Sequence, residues 1–225
     1  MAHTHGVAGE WARVKGTVLG LWPVFAGVFF AGFAAALAAV CSLVWGIVLF
    51  AAAVAASMVC VAKGLKRIER FFVGARGEER VSGILSRLPD RYHVFNDFVA
   101  RGAHIDHVVV GPAGVYCVET KFWRGEVTVE DDHILVDGRL PSRSPLSQAL
   151  REAACVKAEL AKAGWKGTVS PVLAFASDTF VSKSAVVRGV VVLNASIIDK
   201  SFSTERVVIP PAELERLVAL MENER

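Results

Sequence analysis

His104-Ile105-Asp106-His107-Val108-Val109-Val110-Gly111-Pro112-Ala113-Gly114-Val115-Tyr116-Cys117-Val118-Glu119-Thr120-Lys121 decides how the soluble part of the chain folds. Two β-branched, apolar runs flank Gly111-Pro112-Ala113-Gly114, which reads as two strands, His104–Val110 and Val115–Lys121, joined by a turn. Asp106 interrupts a run that otherwise reads as buried, where a bare carboxylate is costly unless it is paired, bound to a cation or at the sheet end. The second strand stays apolar until Glu119-Thr120-Lys121, and strand alternation points Glu119 and Lys121 to one face. The turn makes the strands neighbours, so Asp106 and Glu119 are expected to meet with Lys121 beside them. Those oxygens suit a hard divalent cation such as Mg²⁺. An Asp followed by E-x-K is also the pattern of a plain ion pair, and the spacing alone does not choose between the two.

Outward from this hairpin, Glu78–Leu88 has helical spacing of Val81, Ile84, Leu85 and Leu88, with Gly74 and Gly77 before it as punctuation and Pro89-Asp90 as a stop. Tyr92–Val99 is a further strand. Glu126–Val129 and Ile134–Val136 form a short hairpin closed by Asp131-Asp132-His133. Ser144-Pro145 opens a long helix that Gly164 ends, with Leu146, Ala149, Leu150, Ala153, Val156 and Leu160 as its apolar stripe. Val169–Phe175 and Val187–Leu193 are two buried strands, and Pro211–Glu222 is a closing helix. The order αβββ(β)αββα predicts an α/β domain with a mixed sheet and helices on both faces.

Upstream, residues 16–62 pass without one Asp, Glu, Lys, Arg or His, more than twice the ~20 residues that one membrane crossing needs. The run reads as a transmembrane hairpin, with spans at Val18–Val40 and Leu43–Ala62 and a turn near Cys41-Ser42. Arg13 and Lys15 precede it and Lys63, Lys66, Arg67 and Arg70 follow it, so the positive-inside rule places both termini in the cytoplasm, at the cell (inner) membrane. The expected organisation is a cytoplasmic tail (1–17), a two-helix anchor (18–62), a basic juxtamembrane segment (63–76) whose charge suits anionic lipid headgroups, and a soluble domain (77–225).

The formal net charge is +3 and the hydrophobic fraction of 53% is inflated by the anchor. Acidic and basic residues nearly balance, which argues against a polycation that coats nucleic acid by charge alone. The four cysteines show no metal-ligand spacing and no disulfide framework.

As a set, Gly77-Glu78-Glu79, Tyr92-His93-Val94-Phe95-Asn96-Asp97, the segment Ile105 to Val115, Val118-Glu119-Thr120-Lys121 and Ser144-Pro145-Leu146-Ser147-Gln148 resemble the successive blocks of the NERD (nuclease-related) domain. That family is assigned to the PD-(D/E)xK restriction-endonuclease-like superfamily, and the resemblance covers about residues 74–163. It implies an αβββαβ core and a Mg²⁺- or Mn²⁺-dependent phosphodiesterase. Asp106 and Glu119 would be metal ligands, Lys121 the catalytic lysine, Glu78 a helix carboxylate that completes the metal site or binds a second ion, and Gln148 the glutamine approaching from the long helix. Nothing at these positions departs from the family pattern. The implied partner is nucleic acid, with DNA as the leading substrate and the choice against RNA left open. The rivals are a non-catalytic, membrane-anchored nucleic-acid-binding or scaffold module, and a membrane-assembly protein whose hairpin is the active part.

Other residues carry blander expectations. His107 points away from the Asp106 face and reads as a hydrogen-bonded structural histidine; His104 shares the Asp106 face, where it either reaches phosphate or, the preferred reading, is an exposed strand end; His3 and His5 read as part of a frayed terminus. Phe122 and Trp123 either stack on a base or plug the loop over the core. Arg124, Arg139, Arg143 and Arg151 either track a phosphate backbone or are solvated charge.

Overall fold

The computed structural model describes residues 1–40, 43–182, 184–202 and 207–224. The elements run β1 (His3–His5), α1 (Glu10–Val40), α2 (Leu43–Leu85), β2 (His93–Ala100), β3 (Ala103–Gly111), β4 (Gly114–Lys121), β5 (Val127–Glu130), β6 (His133–Val136), α3 (Pro145–Lys162), β7 (Val169–Phe175), β8 (Ser184–Val187), β9 (Val190–Asn194), α4 (Ile198–Phe202) and α5 (Pro211–Asn223). The chain divides into two units, residues 10–75 and residues 1–9 with 76–225.

The first unit is α1 and the first three-quarters of α2. Both helices are long and apolar enough to cross a membrane. Only 11% and 6% of their most apolar windows are buried, unlike the core helices of a soluble protein. Trp22, Phe25, Phe29, Phe30, Phe33 and Trp45 lie exposed. The expected turn at Cys41-Ser42 falls outside the described residues.

In the second unit a mixed sheet of seven strands runs β1-β2-β3-β4-β7-β9-β8. β2, β3 and β4 are an antiparallel meander, while β4, β7 and β9 are parallel, and β8 closes antiparallel on β9. On one face Phe95, Val108 and Val110 pack against Ala153, Val156 and Leu160 of α3 and Leu217 and Met221 of α5. On the other, Val109, Val118 and Val172 pack against Val81 and Leu85 of α2 and Ile198 and Phe202 of α4. This α/β layering is consistent with the restriction-endonuclease-like core. Ser144 caps α3, its side chain accepting from Ser147 N–H, with Pro145 in the first helical turn.

Three expectations are corrected. Gly74 and Gly77 do not punctuate; α2 runs through both, because glycine weakens a helix interior by ~1 kcal/mol without ending it. A Cβ on Gly77 would lie 2.9 Å from Phe122 Cβ and 3.5 Å from Ala176 Cβ, so the missing side chain lets the helix close on the sheet beside Glu78. Val187–Leu193 is not one strand but a hairpin, turned at Arg188 (φ 51°) and Gly189 (φ 80°), both left-handed as a two-residue hairpin loop requires. The terminus is not frayed at His3–His5, which pairs in parallel with His93–Phe95. The His3 and His5 rings stack on His93, and His5 lies 3.4 Å from Glu222 of α5.

The β3–β4 turn is held by close contact. A Cβ on Gly111 would stand 2.1 Å from Tyr92 Cδ1, and the fully buried Tyr92 donates its hydroxyl to the Phe202 carbonyl at 2.6 Å. Gly111→Ala should therefore destabilise the fold by about 2 kcal/mol, read as a shifted denaturation midpoint, since Tyr92 has no room to retreat without losing that bond. An unchanged midpoint would contradict the packing described.

Candidate functional site

The site forms where the meander's ladders break. The β3–β4 register runs from Gly111↔Gly114 to His107↔Val118 and stops there, and the β2–β3 register passes from Asn96↔His107 to Phe98↔Ile105, skipping Asp97 and Asp106. Asp97 has φ 51°, a left-handed conformation that Asp tolerates better than most residues. Asp106, left out of both ladders, instead accepts the Thr120 backbone N–H on Oδ2 at 2.8 Å. This bond ties the end of β3 to the Glu119-Thr120-Lys121 segment. On its other side β4 stays paired to β7 through Lys121↔Phe175, which fixes the E-x-K backbone.

Glu119 is buried, 2% exposed. Val115 and Cys117 share its strand parity and pack towards α3, so Glu119 and Lys121 face that helix. Lys121 Nζ donates to Glu119 Oε1 and, at 3.0 Å, to Gln148 Oε1 of α3. Gln148 Nε2 then donates to Glu152 Oε1, one helical turn on, at 2.9 Å. With its carbonyl on the ammonium and its amide on a carboxyl, Gln148 has a single orientation.

The electrostatics draw in Glu78. Burial first, then the charges of Asp97 and Glu119, push the Glu78 pKa up to about 7, against His104 and Lys121. Asp106 is pushed well up, by burial first and then by Glu119 and Glu78, with the Thr120 N–H and Lys121 opposing. Glu152, buried at 2% exposure, is pushed up to about 8 by burial and by Glu119. It therefore keeps its proton near neutrality. Burial works to lower the Lys121 pKa, but Glu119, Asp106 and Glu152 outweigh it and hold it above its ordinary value. Lys121 is thus a fixed ammonium.

All five residues singled out in the sequence (Glu78, Asp106, Glu119, Lys121 and Gln148) lie in this one network. Buried oxygens without a hydrogen-bond partner remain on Glu78, Glu119 and Glu152. Such hard, desolvated oxygens are the donor chemistry that a divalent cation takes. Among the described residues no group of three or more His, Cys, Asp or Glu side chains stands so placed as to hold a metal ion, and the Lys121 ammonium meets the carboxylate charge in this structure.

Glu152 was missed in the sequence, although a signal was present: it lies three residues from both Ala149 and Cys155 and beside Ala153, on the buried stripe of α3, where a carboxyl must have a reason. The expectation for His104 is corrected too. Its side chain is 16% exposed and its Nε2 lies 3.1 Å from Asp97 Oδ1, so it is paired beside the site rather than solvated at a strand end. His107 is fully buried, with Nδ1 2.7 Å from Asn96 Oδ1, and burial pushes its pKa down to about 3, as suits a neutral structural histidine. Phe122 packs on the α2 side of the core and Trp123 against Phe175, their ring centroids 5.5 Å apart, which favours the core role for both. Arg124, Arg139, Arg143 and Arg151 are exposed.

No curated protein and no solved structure matches the chain. Residues 73–176 match the family model of the nuclease-related domain, NERD. That span opens in α2 just before Glu78 and closes after β7, so it contains every side chain of the network above. Over residues 73–176, then, the chain is similar to the nuclease-related domain.

Proposed function

We propose that the protein is a membrane-anchored, metal-dependent nuclease, with DNA as its leading substrate, the anchor at residues 18–62, a basic segment at 63–76 and the nuclease-like domain at 77–225. The observation that carries this reading is the junction at Thr120 N–H, which ties Asp106 to the E-x-K segment so that two acidic strands and one lysine share a pocket of charge. Asp106 and Glu119, with Glu78, would hold Mg²⁺ or Mn²⁺. The ion would polarise the scissile phosphate and supply an activated water. Lys121, kept protonated, would stabilise the negative charge that grows on the phosphoryl oxygens rather than act as a base. Gln148 holds that ammonium in place. The uncharged run between flanking basic residues supports anchoring with both termini in the cytoplasm.

The full chain in detergent is the right sample, because deletion of the anchor from residue 1 would also strip β1 from the sheet. With Mg²⁺ or Mn²⁺ it should cleave DNA, and chelation should stop it. Glu119→Ala and Lys121→Ala should each lower the rate by ~100-fold or more, and Gln148→Ala by ~10-fold. Equal cleavage by Lys121→Ala would overturn the mechanism. Metal-independent DNA binding without turnover would establish the non-catalytic module instead.

The protonation pattern gives a test that needs no turnover. Glu78 and Glu152 have folded pKa values of about 7 and about 8 against an ordinary 4.5, so the folded state holds more protons than the unfolded one across that window. Stability of the metal-free protein should then fall as pH rises from about 6 to about 8, and Glu152→Gln should recover on the order of 2 kcal/mol at the upper end. His107 has the opposite sign: its lowered pKa removes stability as pH falls below about 6.5. Mn²⁺ should raise the melting temperature more at about pH 8 than at about pH 6, because ligands must be ionised to bind it. A metal-free protein that gains stability towards pH 8 would contradict the assignment.

A further inference from the structure

Within the unit of residues 10–75, α1 and α2 touch backbone to backbone: a Cβ on Gly64 would lie 2.4 Å from the Gly20 carbonyl oxygen. Beside that contact a cleft of about 390 Å³ opens between the two helices. Its wall on α2 is Lys63, Lys66, Arg67 and Arg70, and its floor on α1 includes Leu19 and Pro23. The spacing of three, four and seven residues sets the cations on one helical face. Among the described residues none of the four has a carboxylate partner, although Glu69 lies in the same turn. Four exposed like charges are thus gathered around one concavity without internal neutralisation, an arrangement complementary to an anion.

The position of the cleft selects the anion. Lys63 is the first charged residue after the run 16–62, so the cleft begins where that run meets water. A ligand there must present phosphate to Lys and Arg and apolar surface to Leu19 and Pro23 together. A free phosphate offers the first without the second, and the place of the cleft at the end of the apolar run favours a lipid over a polynucleotide. We propose that this cleft binds the phosphate-bearing headgroup of an anionic phospholipid. The inference rests on the membrane part of the function proposed above and is independent of the nuclease chemistry. Long basic side chains emerging from an apolar helix reach to headgroup level in this manner.

The test is reconstitution of the full chain into nanodiscs of phosphatidylcholine alone or mixed with phosphatidylglycerol, followed by native mass spectrometry of the lipid retained on release. Phosphatidylglycerol should be retained in preference to phosphatidylcholine. Lys63→Gln and Arg67→Gln should each weaken its retention about fivefold, whereas Arg67→Lys and Lys157→Gln, in α3 of the other unit, should not. Circular dichroism of each variant establishes that its helices persist. Equal retention of the two lipids, or full retention by a helical Lys63→Gln/Arg67→Gln variant, overturns the site. Displacement of the lipid by inorganic phosphate or glycerol phosphate would make a free phosphate the ligand and overturn the lipid assignment. Failure of the chain to enter nanodiscs would overturn the membrane reading itself, a distinct result from loss of headgroup preference.

Discussion

One ammonium among four desolvated carboxyls, Glu119 and Glu152 buried and Glu78 and Asp106 half-buried, is the constraint on which the unit of residues 1–9 and 76–225 turns. Lys121 interacts with Glu78, Asp106, Glu119 and Glu152, and in the absence of another cation it is the positive charge that lets those groups share a desolvated space. Charge is also limited by protonation, since Glu152 and in part Glu78 hold protons near neutrality. A cluster so arranged stores repulsion, and a divalent ion would release it by replacing protons. Stability is being spent where chemistry is expected, as strained or electrostatically frustrated groups at functional sites generally are.

The sheet makes this possible by breaking both ladders at Asp106: the β3–β4 ladder ends at His107↔Val118 and the β2–β3 ladder skips one pair before it resumes. Were Asp106 paired regularly on both sides, its side chain would be fixed by the pleat of β3 alone. Freed from both ladders, it reaches the Thr120 N–H, while the parallel pairing of β4 with β7 keeps Glu119 and Lys121 in register. α2 supplies Glu78 from beyond Gly77, and α3 supplies Gln148 and Glu152 one turn apart. Four elements converge, and each is set by ordinary packing of its own apolar face.

Much of this was legible in residue order. The hairpin, the E-x-K face, the Ser144-Pro145 helix start and the strand Val169–Phe175 follow from period-two alternation, turn chemistry and capping, all local signals. β1 was not legible, because three polar residues carry no strand pattern and their pairing with His93–Phe95 spans about ninety residues. Gly74 and Gly77 misled because glycine marks both a helix end and a close approach, and only the neighbour, Phe122, tells which. The Asp97–His104 pair depended on the left-handed turn at Asp97, which no local pattern announces. Glu152 differs: its place on the apolar stripe of α3 was readable, but the stripe was read from its apolar residues alone.

The most direct test of the central claim is an anomalous difference map from crystals of the full chain grown with Mn²⁺. The account predicts a peak bounded by the carboxylates of Asp106 and Glu119, with the Lys121 ammonium moved off Glu119 to make room. A map with no peak there, and Lys121 still seated on Glu119, would contradict it.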